Sequence, residues 1–88
     1  MAKAPRFDWD EANIGHIARH GVTPEEVEQA YANDSVTLEV AIRSGEERIL
    51  AAGRTDAGRP LQFVYTLRRT RIRVVTAYTA HKKVRDQL

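Results

Sequence analysis

Val36-Thr37-Leu38-Glu39-Val40-Ala41-Ile42 decides the fold. Val36, Leu38, Val40 and Ile42 alternate with Thr37, Glu39 and Ala41, the period of two expected of a strand with one buried face. Downstream the period stays at two. Arg43-Ser44-Gly45 reads as a turn, Glu47 to Arg54 as a second strand, and Thr55-Asp56-Ala57-Gly58 as another turn. Leu61, Phe63, Tyr65 and Leu67 mark a third strand. Ile72, Val74 and Thr76 mark a fourth, beyond an Arg68-Arg69-Thr70 turn. Such short connections make neighbouring strands antiparallel.

Upstream the period is helical. Asp8 and Glu11 have the spacing of a capping box, Ile14, Ile17 and Ala18 follow at helical spacing, and Gly21 supplies a left-handed stop, so a first helix is expected over about residues 9 to 20. The second start is plainer. Thr23 is the N-cap, Pro24 the first helical residue and Glu26 the returning carboxylate, with Val22 and Val27 placed as a hydrophobic staple. Val27, Ala30 and Tyr31 form its apolar stripe, and Asn33-Asp34 end it after Ala32. At the other end Thr79 caps a short helix with Ala80, Val84 and Leu88 on one stripe. The expected class is α+β: two N-terminal helices, a four-stranded antiparallel meander and a short C-terminal helix, with room for a short strand at Arg6 to Asp8.

Eighty-eight residues, 42% apolar and 30% charged, make one domain over residues 1–88 and exclude an enzyme with separate cofactor and substrate domains. Apolar runs such as Ile49 to Ala52 are too short to cross a bilayer, and the basic start leads into Asp8-Trp9-Asp10-Glu11 instead of an apolar signal. A cytoplasmic protein with no membrane partner is expected. With no cysteine, disulfides, thiol nucleophiles and cysteine-based zinc sites are excluded.

The net charge of +2 hides a strong polarity. Residues 1–47 hold four Lys/Arg and ten Asp/Glu, a net of −6; residues 48–88 hold ten and two, a net of +8. A basic half of this kind suits nucleic acid, whereas a solvated strand surface is the plainer alternative. Within it, Arg71 and Arg73 are two apart on a strand and share a face, a spacing that lets two guanidinium forks meet phosphate oxygens. Arg48, Arg54, Arg59, Arg68 and Arg69 extend the series; any one of them can equally be solubilising, or paired with Glu47.

Other chemistries fare worse. His16 and His20 are four apart on one helix, but no glutamate follows the first histidine and no third ligand is evident, so no metal site is expected and packing, hydrogen bonding or phosphate contact is preferred. The only serines, Ser35 and Ser44, lie in turn-like settings. The glycines are scattered singly, with no phosphate loop, so no cofactor is expected.

Several motifs also carry a resemblance. Phe7-Asp8-Trp9-Asp10-Glu11, Arg19-His20-Gly21-Val22 followed by Pro24-Glu25-Glu26, Glu46-Glu47-Arg48, Gly53-Arg54-Thr55, Val64-Tyr65-Thr66 and Arg71-Ile72-Arg73-Val74-Val75 resemble, in order and spacing, the BrnT family of type II toxins. The resemblance covers about Phe7 to Ala80. It implies a RelE-like fold, an RNA-cleaving toxin that inhibits translation, neutralisation by a DNA-binding BrnA-type antitoxin, and a homodimer within the complex. The chain departs from the family pattern in three places. Thr66-Leu67-Arg68 stands where an acidic residue usually follows the threonine, Thr76-Ala77-Tyr78 where Ser-Ala-Arg is usual, and the C-terminal segment lacks the usual glutamate and tyrosine.

Metal-free RNA cleavage requires a group that takes the 2′-hydroxyl proton, cations for the charge gathering on phosphorus, and an acid for the leaving oxygen. Arginine stays protonated, so Arg54, Arg71 and Arg73 are assigned to phosphate stabilisation. His20 matches the family's Lys-His-Gly and is the first candidate for acid or base, against a plainer role bonding a helix-end carbonyl. Glu47, Tyr78 and His81 rank behind it. Arg48, Arg68, Arg69, Lys82 and Lys83, with His81, are assigned to RNA binding. A ribonuclease toxin is the leading expectation. A catalytically weakened RNA-binding or antitoxin-binding module on the same fold is the alternative, and Leu67 and Tyr78 bear on the choice.

Overall fold

The computed structural model describes residues 6–88. In chain order it contains β1 (Arg6–Phe7), α1 (Glu11–Ala18), α2 (Pro24–Ala32), β2 (Val36–Arg43), β3 (Glu46–Arg54), β4 (Pro60–Arg68), β5 (Arg71–Thr79) and α3 (Lys82–Arg85). The sheet order is β1-β5-β4-β3-β2. β2 to β5 form the expected antiparallel meander, but the sheet has five strands and is mixed, because β1 pairs in parallel with β5 through Arg6–Arg71 and Phe7–Ile72. The basic lead-in weighed in reading the chain's start falls on residues 1–5, outside the described residues. No helix among the described residues is long and apolar enough to cross a membrane.

The α2 start forms as its residues dictate: the Thr23 hydroxyl accepts from the Glu26 N–H, the Glu26 carboxylate accepts from the Thr23 N–H, and Pro24 follows the cap. The α1 start differs from expectation. Its cap is Asp10, whose carboxylate accepts from the Ala12 and Asn13 N–H groups, while the Asn13 side chain accepts from the Asp10 N–H. Asp8 instead faces Arg73, 65 positions along the chain, at 3.5 Å. The α1 stripe shifts accordingly. Asn13 and Ile17 are buried, whereas Ile14 and Ala18 are exposed. Gly21 does take a positive φ of 69° and stops the helix. At the other end, α3 is capped by His81 and not Thr79, which remains in β5 and accepts a hydrogen bond from Arg59.

Both long helices lie against one sheet face. Ile17, Val22, Val27 and Ala30 pack there over Ile49, Ala51, Leu61, Phe63, Tyr65, Ile72, Val74 and Ala77, with Phe7, Trp9 and Tyr31 closing the edge. Gly53 permits the closest approach: a β-carbon on it would collide with the Ala30 carbonyl oxygen. Arg59 then ties three elements together, donating to the Gly21 carbonyl, the Glu26 carboxylate and the Thr79 hydroxyl.

The face expected to be buried on β2 is not buried. Val36, Val40 and Ile42 are exposed, Ile42 to 73%, and a register shift between Thr37 and Glu39 breaks the alternation, setting Val36 beside Ala52 on the opposite face from Val40 and Ile42. β2 is the edge strand opposite β1, while α1 packs along β5 and α2 along β3 and β4, so nothing reaches over it. Alternation alone cannot distinguish a covered strand from an edge strand beyond the helices.

Candidate active site

The opposite sheet face carries no long helix across its middle, although Ala52, Gln62 and Thr66 on it are buried, and strand parity decides which side chains it displays. Ile49 and Tyr65 point to the helices, so Glu46, Arg48 and Leu50 on β3 and Val64, Thr66 and Arg68 on β4 point to the open face. Register extends the rows across the sheet: Glu39 beside Leu50 and Val64 beside Thr76, Ala41 beside Arg48 and Thr66 beside Arg73, and Arg43 beside Glu46 and Arg68 beside Arg71. Five arginines thus face two glutamates, and the face is cationic.

Where the start of α1 reaches over β5 onto this face is a concavity of about 370 Å³, bounded by Arg48, Thr66, Arg68, Arg73 and Glu46 from the sheet and by Ala12, Asn13 and His16 from α1. Two polar atoms there are buried without a hydrogen-bond partner among the described residues, the Arg48 Nε and the Thr66 Oγ1. A buried donor or hydroxyl left unpaired costs roughly 1–3 kcal/mol, so each such exception calls for a physical reason, of which a catalytic role is one. A guanidinium N–H and a hydroxyl are donors suited to an anionic oxygen.

The neighbours are more engaged. Arg68 Nε is 3.5 Å from Glu46, with both side chains substantially exposed. Arg73 lies 3.0 Å from Asp10 and 3.5 Å from Asp8. The Asp10 hydrogen bond raises the Arg73 guanidinium further above its ordinary range, and the Arg73 hydrogen bond, helped by the Asn13 N–H, holds the Asp10 carboxyl below its own. Arg73 therefore anchors the start of α1 to β5 with its charge largely matched. Arg71, its partner in the sequence reading, is exposed and makes no ion pair among the described residues. The two arginines share a face but not a role.

The other expected residues divide sharply. Arg54 sits away from the concavity, donating to the Gly58 and Arg85 carbonyls and so fastening α3 to the sheet. Glu47 points to the helix side of the sheet beside the exposed Ile42, and Leu67 shares that side; the open face carries Glu46 instead. Arg69 is exposed at the β4–β5 turn with φ 57°, and Lys82 and Lys83 are exposed at the start of α3. His20, exposed two residues beyond the end of α1, is 5.8 Å from the His16 ring and 6.2 Å from the Tyr78 ring, and the His81 ring is 5.9 Å from that of Tyr78. His20, Tyr78 and His81 thus border the open face, outside the concavity itself.

His16 is the residue sequence reasoning undervalued. Its Nε2 is 3.2 Å from the Thr76 Oγ1, and it lines the concavity beside Arg48 and Thr66. The signal was present in the i, i+4 spacing from His20, which puts both rings on one helix face. A choice between them needs the position of β5. No third His, Asp or Glu joins the pair in an arrangement able to hold a metal ion among the described residues.

A small α+β domain thus carries a cationic concavity, lined by His16 and bordered by His20 and His81. Its family follows from the chain itself. The family model described as "Ribonuclease toxin, BrnT, of type II toxin-antitoxin system" matches residues 9–83, and the chain belongs to that family. No curated protein matches the chain. Membership brings an RNA substrate and an antitoxin partner.

Proposed function

We propose that this protein is a metal-independent endoribonuclease toxin that cleaves RNA on the open sheet face, inhibits translation by doing so, and is neutralised by a DNA-binding, BrnA-type antitoxin that covers the same face, with two copies of the toxin in the complex. The observation that carries the reading is the pair of unpartnered buried groups, Arg48 Nε and Thr66 Oγ1, on residues that line a concavity rimmed by further arginines. A scissile phosphate seated there completes both bonds. Arg48 and Arg68 then face the charge that accumulates on its oxygens, and Arg71 holds the next phosphate along the strand direction.

Proton transfer falls to the imidazoles. Imidazole as a class gains and loses its proton near neutral pH, which guanidinium does not. In this reading His16, bonded to Thr76 at the rim, draws the proton from the 2′-hydroxyl, and His20 or Tyr78 supplies one to the departing 5′-oxygen; the His16–Thr76 and His20–Tyr78 contacts support it. Attack of the 2′-oxygen on phosphorus breaks the bond to the 5′-oxygen, leaving a 2′,3′-cyclic phosphate and a 5′-hydroxyl. No step needs a metal.

Of the three departures from the family pattern, the two within the sheet have unequal weight. Leu67 projects to the helix side and takes nothing from the concavity, whereas Tyr78 stands on the open face, paired with Gln62. Tyr78 is the observation favouring the second reading, a weakened RNA-binding or antitoxin-binding module. The test is to incubate the purified protein with RNA under exhaustive chelation, then add the antitoxin in steps. Cyclic-phosphate fragments whose formation stops at stoichiometric antitoxin are expected. Cleavage restored only by a divalent ion overturns metal independence, and undiminished cleavage in the presence of bound antitoxin overturns occlusion.

A further inference from the structure

Beside the phosphate concavity lies a second one that the reading above does not use. It measures about 270 Å³, near the lower end of roughly 300–1,000 Å³ typical of small-molecule sites, and shares Arg48 as a common wall. Its floor is apolar, made by Leu50, Val64 and Val75, and Tyr78 forms one side. Glu39 and Arg43, four residues apart on one face of β2 and so about 13 Å apart along the strand, stand at the rim. Neither makes an ion pair or side-chain hydrogen bond among the described residues, although one is an acceptor and the other a donor.

The two concavities are spaced like the parts of one nucleotide. Leu50 and Arg48 are two residues apart on β3, about 7 Å along the strand. That is the scale on which a ribose separates a base from its phosphate. An apolar floor with an aromatic side wall is the setting in which proteins hold a splayed-out base. The rim groups then choose among bases. Guanine alone offers the N1–H and N2–H donors that a carboxylate accepts together with the O6 and N7 acceptors that a guanidinium fork engages. Adenine presents no donor pair to Glu39, and the pyrimidines lack the N7–O6 edge.

We propose that this concavity is a guanine-selective base subsite, with Glu39 and Arg43 as its specificity-determining residues, adjoining the phosphate held at Arg48 and Thr66. The proposal rests on the ribonuclease reading for its biological use, but the subsite is testable without cleavage. The four nucleoside 5′-monophosphates are titrated into isotopically labelled protein while the methyl signals of Leu50, Val64 and Val75 are followed. In parallel, short RNAs differing at a single nucleotide are offered for cleavage to the wild type and to Glu39→Gln. The expected result is shifts of those methyls at GMP concentrations on the order of tenfold lower than for the other three, cleavage next to guanine, and loss of both preferences in Glu39→Gln with cleavage elsewhere retained.

Equal response to all four nucleotides, or shifts confined to other parts of the protein, overturns the subsite. So does a guanine preference that survives Glu39→Gln. Cleavage without base preference removes the subsite and leaves the ribonuclease standing. GMP-selective shifts in a protein that cuts no RNA keep the subsite and remove the ribonuclease.

Discussion

Replacing Thr66 with valine should move stability and activity in opposite directions. Thr66 is 1% exposed, lies in β4 between the neighbouring strands, and its hydroxyl has no hydrogen-bond partner among the described residues. Valine keeps the branched shape and the strand preference while removing the hydroxyl. An unpaired buried hydroxyl costs roughly 1–3 kcal/mol; allowing for the concavity at its side, the relief from Thr66→Val is about 1 kcal/mol. For a domain of this size that is a rise of roughly 4–8 °C in melting temperature, read by circular dichroism. If the hydroxyl donates to the reacting phosphate, the same change should slow RNA cleavage by about tenfold or more. A variant that melts at or below the wild-type temperature refutes the claim that the hydroxyl is held unpaired. A more stable variant that cleaves at the wild-type rate refutes its role at the phosphate.

Three further outcomes follow from other parts of the molecule. Arg48 and Arg71, the arginines assigned to phosphates, are without ion pairs among the described residues, so RNA binding should weaken with salt at a slope of about −1.4 in log–log form, and a slope near zero in a filter-binding series would remove the cationic face from the account. Gly53→Ala should cost about 2 kcal/mol or more in denaturant unfolding, because α2 must move off β3 to admit the β-carbon. Burial pushes the Glu26 carboxyl upward, but the Thr23 N–H and the Arg59 guanidinium outweigh it and hold the carboxyl below its ordinary 4.5. Its contribution is therefore present above that value and lost as pH falls below it, so Glu26→Gln should be less stable than wild type at neutral pH, with the gap closing in acid melts.

How much of this was legible depends on how far each interaction reaches along the chain. Thr23, Pro24 and Glu26 act within one turn, and the α2 start forms as their spacing says. Asp8 has the same local spacing to Glu11, but an arginine 65 residues away takes its carboxylate and leaves capping to Asp10. The meander was readable because its turns are short. The parallel β1 and the exposed outer face of β2 were not, since both depend on where helices end in space. At the site, alternation correctly set Arg71 and Arg73 on one face, yet charge pattern cannot say that Arg73 is tied to Asp10 or that Arg54 fastens α3. A one-residue choice of strand phase separates Glu46 from Glu47, and that phase is fixed by Ile49 packing under the helices.

The central claim is that Arg48 delivers an unpaired guanidinium N–H to the phosphate undergoing cleavage. Its most direct test is the single-turnover cleavage rate of a defined RNA by wild type and Arg48→Gln, with a chelator present and the melting temperature of each protein recorded alongside. The account predicts 2′,3′-cyclic phosphate ends from the wild type and a rate on the order of a hundredfold lower for Arg48→Gln at nearly unchanged melting temperature. Equal rates from the two proteins, or a wild type that leaves the RNA intact, would contradict it.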